Sequence, residues 1–427
     1  MKLISYDLLK WKKLFFTIWG GQAFSLFGST LVDFALVWYM TTTTGSAIVL
    51  TTATMVTMLP AIFISPILGS LVDRWKRRHM ILLADSLTAF FTVLMAVLFW
   101  LGLVQIWHIY VLLFVRAITG FTHFISMDTA TTLMVPQEQL TRVAGLNRTL
   151  YGTMNIAGPP VGAFFLAIMP IQSILLIDVG TALIAILPLL FIILPEPDRH
   201  AAEAKGLAKP TILQDIVVGF RYVRSWRGLL ALMLVFTVAN FLLHPVFSLT
   251  PLLVTEHFGG GALQLGWIQT AVGVGTIGGG LLLGAWGGFR KKIVTMLAGA
   301  ILEGVGVLVM AFAPSSGFVI ALCGAFVVGG ALALVDGPLM AILQANVAPE
   351  IQGRVISFLL SMSRLIAPLG LLSAGVLTEW FGIRFWFFFS GGGLLLVILA
   401  AAAIPSLLLI EEQPLAGDLS VKGFSPE

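Results

Sequence analysis

The run Ile293–Ala313, IVTMLAGAILEGVGVLVMAFA, is apolar for almost its whole length and carries a single ionisable residue, Glu303. An α-helix rises about 1.5 Å per residue, so a run of this length crosses a hydrocarbon core of about 30 Å. The same pattern recurs on both sides of it. Comparable stretches lie near 14–40, 46–71, 80–102, 107–134, 143–169, 171–194, 228–254, 263–287, 293–313, 317–345, 354–378 and 385–410. Each is continuously apolar, whereas the strands of a membrane barrel are shorter and alternate. The expected fold is therefore all-α: a polytopic membrane protein with twelve transmembrane helices.

Composition agrees with lipid as the solvent. Hydrophobic residues make up 58% of the 427, charged residues 10%, and the mean hydropathy is +1.01. Soluble cores of this size need charged outer faces that so few charges cannot provide. The net charge of +4 is spread over loops and forms no nucleic-acid-binding patch. Cys323 is the single cysteine, which rules out a disulfide framework and a thiolate metal site. The basic start (Lys2, Lys10, Lys12, Lys13) leads into an apolar run too long for a signal peptide, so the first span is expected to remain.

Basic residues cluster in every second connection: the N-terminus, 72–79, 135–148, the 199–227 stretch and 290–292, with Arg384 as the exception. Lys and Arg bias loops to the cytoplasm, so both termini are expected inside; the expected location is the cell membrane. The long polar stretch divides the chain into a six-helix half at 1–200, a cytoplasmic linker at 201–227, and a second six-helix half at 228–427 with a short cytoplasmic tail. A weak repeat at an offset of 212 residues supports the division. Arg142-Val143 matches Arg354-Val355, and Gly158 falls opposite Gly370. Parallel halves around a cavity that opens to either side are a transporter architecture.

Three motifs make the resemblance specific. Gly69-Ser-Leu71-Val-Asp73-Arg74-Trp-Lys76-Arg77-Arg78-His-Met-Ile81 resembles the cytoplasmic signature loop of the major facilitator superfamily, with Lys76 in place of its second glycine. Leu112-x-x-x-Arg116-x-x-Thr119-Gly120 resembles the family's fourth-span motif, with Thr119 in place of glutamine. Gly158-Pro159-Pro160-Val161-Gly162 resembles the antiporter motif of its drug exporters. The resemblance covers essentially the whole chain. It is closest to the proton-coupled drug and macrolide efflux branch, which also includes siderophore exporters.

What the resemblance implies about the first motif is a cytoplasmic gate of Gly69, Asp73, Arg74, Arg77 and Arg78, with Asp128 as the acidic partner of Arg77. Chemically, Gly69 permits close helix approach and Asp73 can cap a facing helix N-terminus. In the antiporter-motif helix, Pro159 breaks the backbone ladder while Gly158 and Gly162 admit a close neighbour. The counterpart of the gate loop in the second half, Gly284 to Lys292, lacks the aspartate.

Charges inside spans are costly and mark functional positions. Arg116 lies roughly 13 Å below the outer edge of its span at 1.5 Å per residue. Asp33 reaches a similar depth, so the two are expected to face the same cavity. Burial and an adjacent arginine push a carboxylate's protonation equilibrium in opposite directions, which suits proton coupling. A static salt bridge is the plainer alternative. Glu303 is the second-half candidate for protonation or for contact with a cationic substrate group. Asp85, Asp336 and Arg364 lie nearer the cytoplasmic side, and Asp178 has no assigned role.

Other patterns fail on context. Gly273-Val-Gly275-Thr-Ile-Gly278 lies inside an apolar span with no preceding strand, so it reads as glycine packing and not dinucleotide binding. The six histidines have no metal-ligand spacing, and His244 before Pro245 reads as a kink-associated residue. Asn147-Arg148-Thr149, a glycosylation pattern, is expected to face the cytosol. A Walker loop is absent from the sequence, which argues against an ATP-driven pump.

The expected protein is a monomeric secondary transporter. It has no enzymatic activity, cofactor, metal or nucleic-acid partner, and it expels amphipathic small molecules in exchange for protons. Proton entry would contribute about 2.3 kcal/mol per charge per 100 mV, plus the pH gradient. An uptake symporter or lysophospholipid transporter of the same fold is the alternative within transport. A non-transporting sensor or scaffold is the alternative outside it.

Overall fold

The computed structural model describes residues 8–64, 75–192, 194, 220–347 and 349–412. The gate positions Gly69, Asp73 and Arg74, the 201–219 part of the linker, the tail from 413 and the side chain of Arg364 lie outside the described residues.

Among the described residues, twelve long helices follow the apolar runs: α1 Leu8–Thr44, α2 Ala47–Phe63, α3 Arg77–Trp100, α4 Ile106–Met134, α5 Leu140–Ile168, α6 Ile171–Phe191, α7 Arg227–Leu252, α8 Ala262–Trp286, α9 Lys292–Phe312, α10 Phe318–Asn346, α11 Pro349–Phe381 and α12 Ile383–Ala402. Ten of these are long and apolar enough to cross a membrane. Arg142, Asn147 and Arg148 lower the hydropathy of α5, and the described part of α2 is 17 residues long. Regular structure among the described residues is otherwise helical turns, including a π-turn, Leu253–His257, that prolongs α7 just after Pro251.

Boundaries follow backbone chemistry. Gly102 (φ 68°) closes the α3–α4 turn and Gly382 (φ 85°) the α11–α12 turn, both in the left-handed region that glycine enters without strain. Helix α1 starts at Leu8, several residues before the expected span, so Lys12 and Lys13 ride on its first turns. Helix α12 stops at Ala402, short of the expected 410. Pro405 instead opens a separate helix, α13 (Pro405–Leu408), at a position where its missing N–H costs nothing.

The chain divides into two compact units, one of Met1–Thr43 with Ala53–Ala208, the other of Thr44–Thr52 with Lys209–Glu427. In the first, α1 is held between α5 and α6 by small residues. A Cβ on Gly28 would stand 2.9 Å from the Asp178 Cα, and one on Gly158 would stand 2.9 Å from the Thr30 Oγ1. One end of this unit is closed by an apolar cluster that includes Trp11, Phe15, Ile81, Met134, Val143 and Leu189.

In the second unit, α8 and α10 meet through glycine. A Cβ on Gly275, Gly279 or Gly329 would overlap backbone oxygen of the facing helix, so Gly275 of the Gly273–Gly278 pattern is a packing glycine, whereas a Cβ on Gly278 would stand 3.9 Å from the Phe326 ring. The start of α2 belongs to this unit. The Ser46 hydroxyl and the Ile48 N–H (3.4 Å) both donate to Glu379 of α11, a carboxylate at a helix N-terminus. At the other end, Glu411 accepts the Ile293 N–H at 2.7 Å and Glu412 pairs with Lys291 at 2.8 Å.

The repeat seen in the sequence recurs as packing. Gly158 of α5 seats Thr30 of α1, and Gly370 of α11 seats the Phe241 carbonyl of α7. Ser390, 212 residues after Asp178, is likewise buried, and its hydroxyl donates to the Leu242 carbonyl at 2.8 Å.

Candidate functional site

The first unit holds an ionic cluster on α1, α3, α4 and α6. Arg116 stands ten residues into α4, with its side chain 8% exposed. Its guanidinium donates from Nη1 to Asp178 Oδ2 at 2.8 Å and from Nε to Asp33 Oδ1 at 3.2 Å. From Nη2 it donates to the Ser29 carbonyl at 3.1 Å, and Nη1 also reaches Thr92 Oγ1 at 3.4 Å. Ser29 Oγ donates to the second Asp178 oxygen at 3.2 Å.

The two carboxylates differ in environment. Asp178 is 2% exposed and fully engaged by Arg116, Ser29 and Thr92. Asp33, in the second half of α1, has 59% of its side chain accessible and, among the described residues, is hydrogen-bonded by Arg116. One guanidinium facing two carboxylates leaves one negative charge in excess, so uptake of a single proton makes the cluster neutral. The accessible member of the pair is Asp33.

Local packing sets this geometry. Gly28 is five residues before Asp33 and lets α6 approach until Asp178 lies beside Ser29. On the other side of α1, Gly158 and Gly162 of α5 receive Thr30 and Phe34. The antiporter-motif helix therefore packs against the turn that bears Asp33, and Pro159 and Pro160 fall inside α5 at that level.

A second polar cluster lies nearer the basic-loop end of the same helices. Gln22 of α1 donates from Nε2 to Asp85 Oδ2 of α3 at 3.2 Å, and its Oε1 meets His123 Nε2 of α4 at 2.8 Å. His123 Nε2 and Asp85 Oδ1 are 3.7 Å apart. Between the clusters, the Thr88 and Thr119 hydroxyls are hydrogen-bonded at 2.6 Å.

Other expected site residues are dispersed. Glu303, 3% exposed, lies in α9 of the second unit, and its Oε1 has no hydrogen-bond partner among the described residues. Asp336 is exposed on α10. Arg77 is buried and donates to the Trp75 carbonyl at 3.1 Å. Arg78 donates to the Leu189 and Leu190 carbonyls at 2.6 and 2.5 Å, satisfying the last turn of α6. Asp128 is exposed, and the ion pairs between described residues do not join it to Arg77. The Asn147 amide oxygen accepts the Trp19 indole N–H at 2.8 Å. Among the described residues there is no His, Cys, Asp and Glu grouping able to hold a metal ion.

Sequence reasoning paired Asp33 with Arg116 by depth but left Asp178 unassigned and passed over Gln22, Ser29, Thr92 and His123. The available signal was register. Asp85, Thr88 and Thr92 on α3 run opposite His123, Thr119 and Arg116 on the antiparallel α4 at matching three- and four-residue steps.

Twelve long helices among the described residues, ten of them apolar enough to cross a membrane, form two units of like packing with an arginine held between carboxylates in one, and they define a multi-pass membrane transporter. The Major Facilitator Superfamily profile matches residues 18–259 and 245–423, and the chain belongs to that superfamily. It is 32% identical over 378 residues to macrolide efflux protein A of Streptococcus pyogenes, covering 88% of this chain and 92% of that one. It is 26% identical over 367 residues to the multidrug efflux pump Tap of Mycolicibacterium fortuitum, covering 83% and 86%. Among solved structures, a bacterial homologue of the human lysosomal transporter Spinster, inward-facing and unoccupied, superposes with a TM-score of 0.70 at 13% identity. That match covers 96% of this chain and 98% of that one.

Proposed function

We propose that this transporter exports amphipathic small molecules of the macrolide or multidrug kind across the plasma membrane in exchange for protons, working as a monomer with both termini in the cytosol. The halves at 1–200 and 228–427, with the linker at 201–227 between them, would be the moving bodies. The direction and cargo rest on the likeness to efflux pumps over most of the chain. The coupling ion rests on one observation: Asp33 is accessible while the Arg116 it pairs with is held separately by buried Asp178.

The mechanism follows from the charge count. With Asp33 ionised, the cluster carries one net negative charge and favours a cationic or hydrogen-bond-donating cargo. Protonation of Asp33 removes that charge and one Arg116 contact, which releases cargo and loosens α1 against α4. Asp178 keeps Arg116 neutralised throughout, so Asp33 can change state without stranding a buried cation. Glu303, in the second half, is the second acidic group proposed to take part in coupling. Asp73, Arg74 and Arg77 close the cytoplasmic side around Gly69, with Arg78 fixing the end of α6 and Asp128 as the acidic neighbour.

The test uses purified protein in proteoliposomes containing a pH-sensitive dye. Addition of erythromycin, a macrolide, should move protons in the direction opposite to the drug. Drug flux without proton movement would overturn the antiport reading.

A further inference from the structure

We infer that His123 and Asp85 form a second proton-binding site, which receives the proton from the Asp33–Arg116–Asp178 cluster and delivers it to the basic-loop side of the membrane. The inference rests on the proton-antiport reading and adds to it the route by which the proton leaves.

The geometry is a ladder. His123 lies seven residues after Arg116 on α4, two turns or roughly 10 Å along the helix. Asp85 lies seven residues before Thr92 on α3, and Gln22 lies seven before Ser29 on α1. Three helices thus place their polar residues at the same two levels. The Thr88–Thr119 hydroxyl pair, 2.6 Å apart, fills the level between. An apolar bilayer span has no packing reason to repeat this alignment, and each polar group placed there is costly unless partnered.

Hydrogen-bond accounting assigns the nitrogen. Gln22 donates its amide N–H to Asp85, so its Oε1 accepts, and His123 Nε2 must carry the hydrogen of the 2.8 Å contact. Nδ1 is left as the atom that gains and loses the travelling proton. A proton leaving the Asp33 carboxyl passes through the hydroxyl level to Nδ1, giving an imidazolium beside the Asp85 carboxylate. It then departs to water at the basic-loop end, restoring the neutral ring. The charged groups facing this step are Asp85 on α3, Asp178 on α6, and Arg116 on α4 itself; α1 presents the uncharged Gln22. Imidazole is the side chain whose ordinary range suits reversible charging near neutral pH.

The experiment measures erythromycin transport in proteoliposomes at a fixed proton gradient, while the pH on the basic-loop side is varied across the imidazole range. Wild type, His123→Gln and Asp85→Asn are compared, with drug–drug exchange measured alongside. The expected result is a rise and fall of wild-type flux with that pH. Both variants should lose the dependence and most gradient-driven flux while retaining exchange. Wild-type pH dependence in His123→Gln at normal rate would overturn the inference, as would an equal loss of flux and exchange in both variants, which marks a structural role. Wild-type flux indifferent to any gradient would instead overturn the antiport reading beneath it, a result distinct from either.

Discussion

Asp178 Oδ2 stands 2.8 Å from Arg116 Nη1 with both side chains withdrawn from solvent, whereas Asp33 meets the same guanidinium at 3.2 Å from an accessible position. The arginine is therefore anchored by one carboxylate and available to the other. Removing one partner of a buried pair typically costs about 3–5 kcal/mol, while an exposed pair contributes about 0–1 kcal/mol. Asp178→Ala should sharply lower the melting temperature in detergent and the yield of monodisperse protein, and Asp33→Asn should leave both near wild type. A stable Asp178→Ala alongside an unstable Asp33→Asn would reverse the assignment.

Gly28 tests the packing that builds the cluster. A methyl there meets Thr181 and Asp178 backbone, so α1 and α6 must separate, at a cost of about 1–3 kcal/mol for overpacking. Gly20, on the same helix, has nothing within 4 Å of the point where a Cβ would stand, and Gly20→Ala should stabilise by about 0.5–1 kcal/mol through helix propensity. Thermal unfolding of the two variants should move in opposite directions.

Orientation follows from the basic loops. On a Cys323→Ala background, cysteines introduced near 42–45 and 314–317 should react with an impermeant thiol reagent from outside. Those at 76–78 and 290–292 should react only from the cytoplasmic side. Outside labelling at position 76 would contradict the topology.

The gate assignment predicts that Asp73→Asn impairs transport through poor closure of the cytoplasmic side while substrate binding is retained, because binding and gating free energies are separate quantities. Paired binding and flux measurements check it, and a wild-type transport rate in this variant would remove Asp73 from the gate.

The architecture was legible because bilayer physics writes it into hydropathy: the apolar runs are matched by twelve long helices among the described residues, and the largest shifts of edge came where a helix extends into polar sequence, at the start of α1 and at Pro349 of α11, or where Pro405 opens a separate turn. The Asp33–Arg116 pairing was legible from depth alone. Asp178 was not, because its contribution depends on α6 approaching α1 through Gly28, a contact between elements far apart in sequence. Asp85 stood out as a charge within a span, but its partners Gln22 and His123 did not, because the information lies in the register of three helices.

The central claim is that Asp33 carries the coupling proton, and gradient-driven accumulation compared with exchange by Asp33→Asn tests it most directly. In proteoliposomes loaded with erythromycin, well-folded Asp33→Asn should lose the acceleration that a pH gradient gives wild type, while drug–drug exchange continues. Normal gradient-driven transport by Asp33→Asn would contradict the account and transfer the coupling role to Glu303.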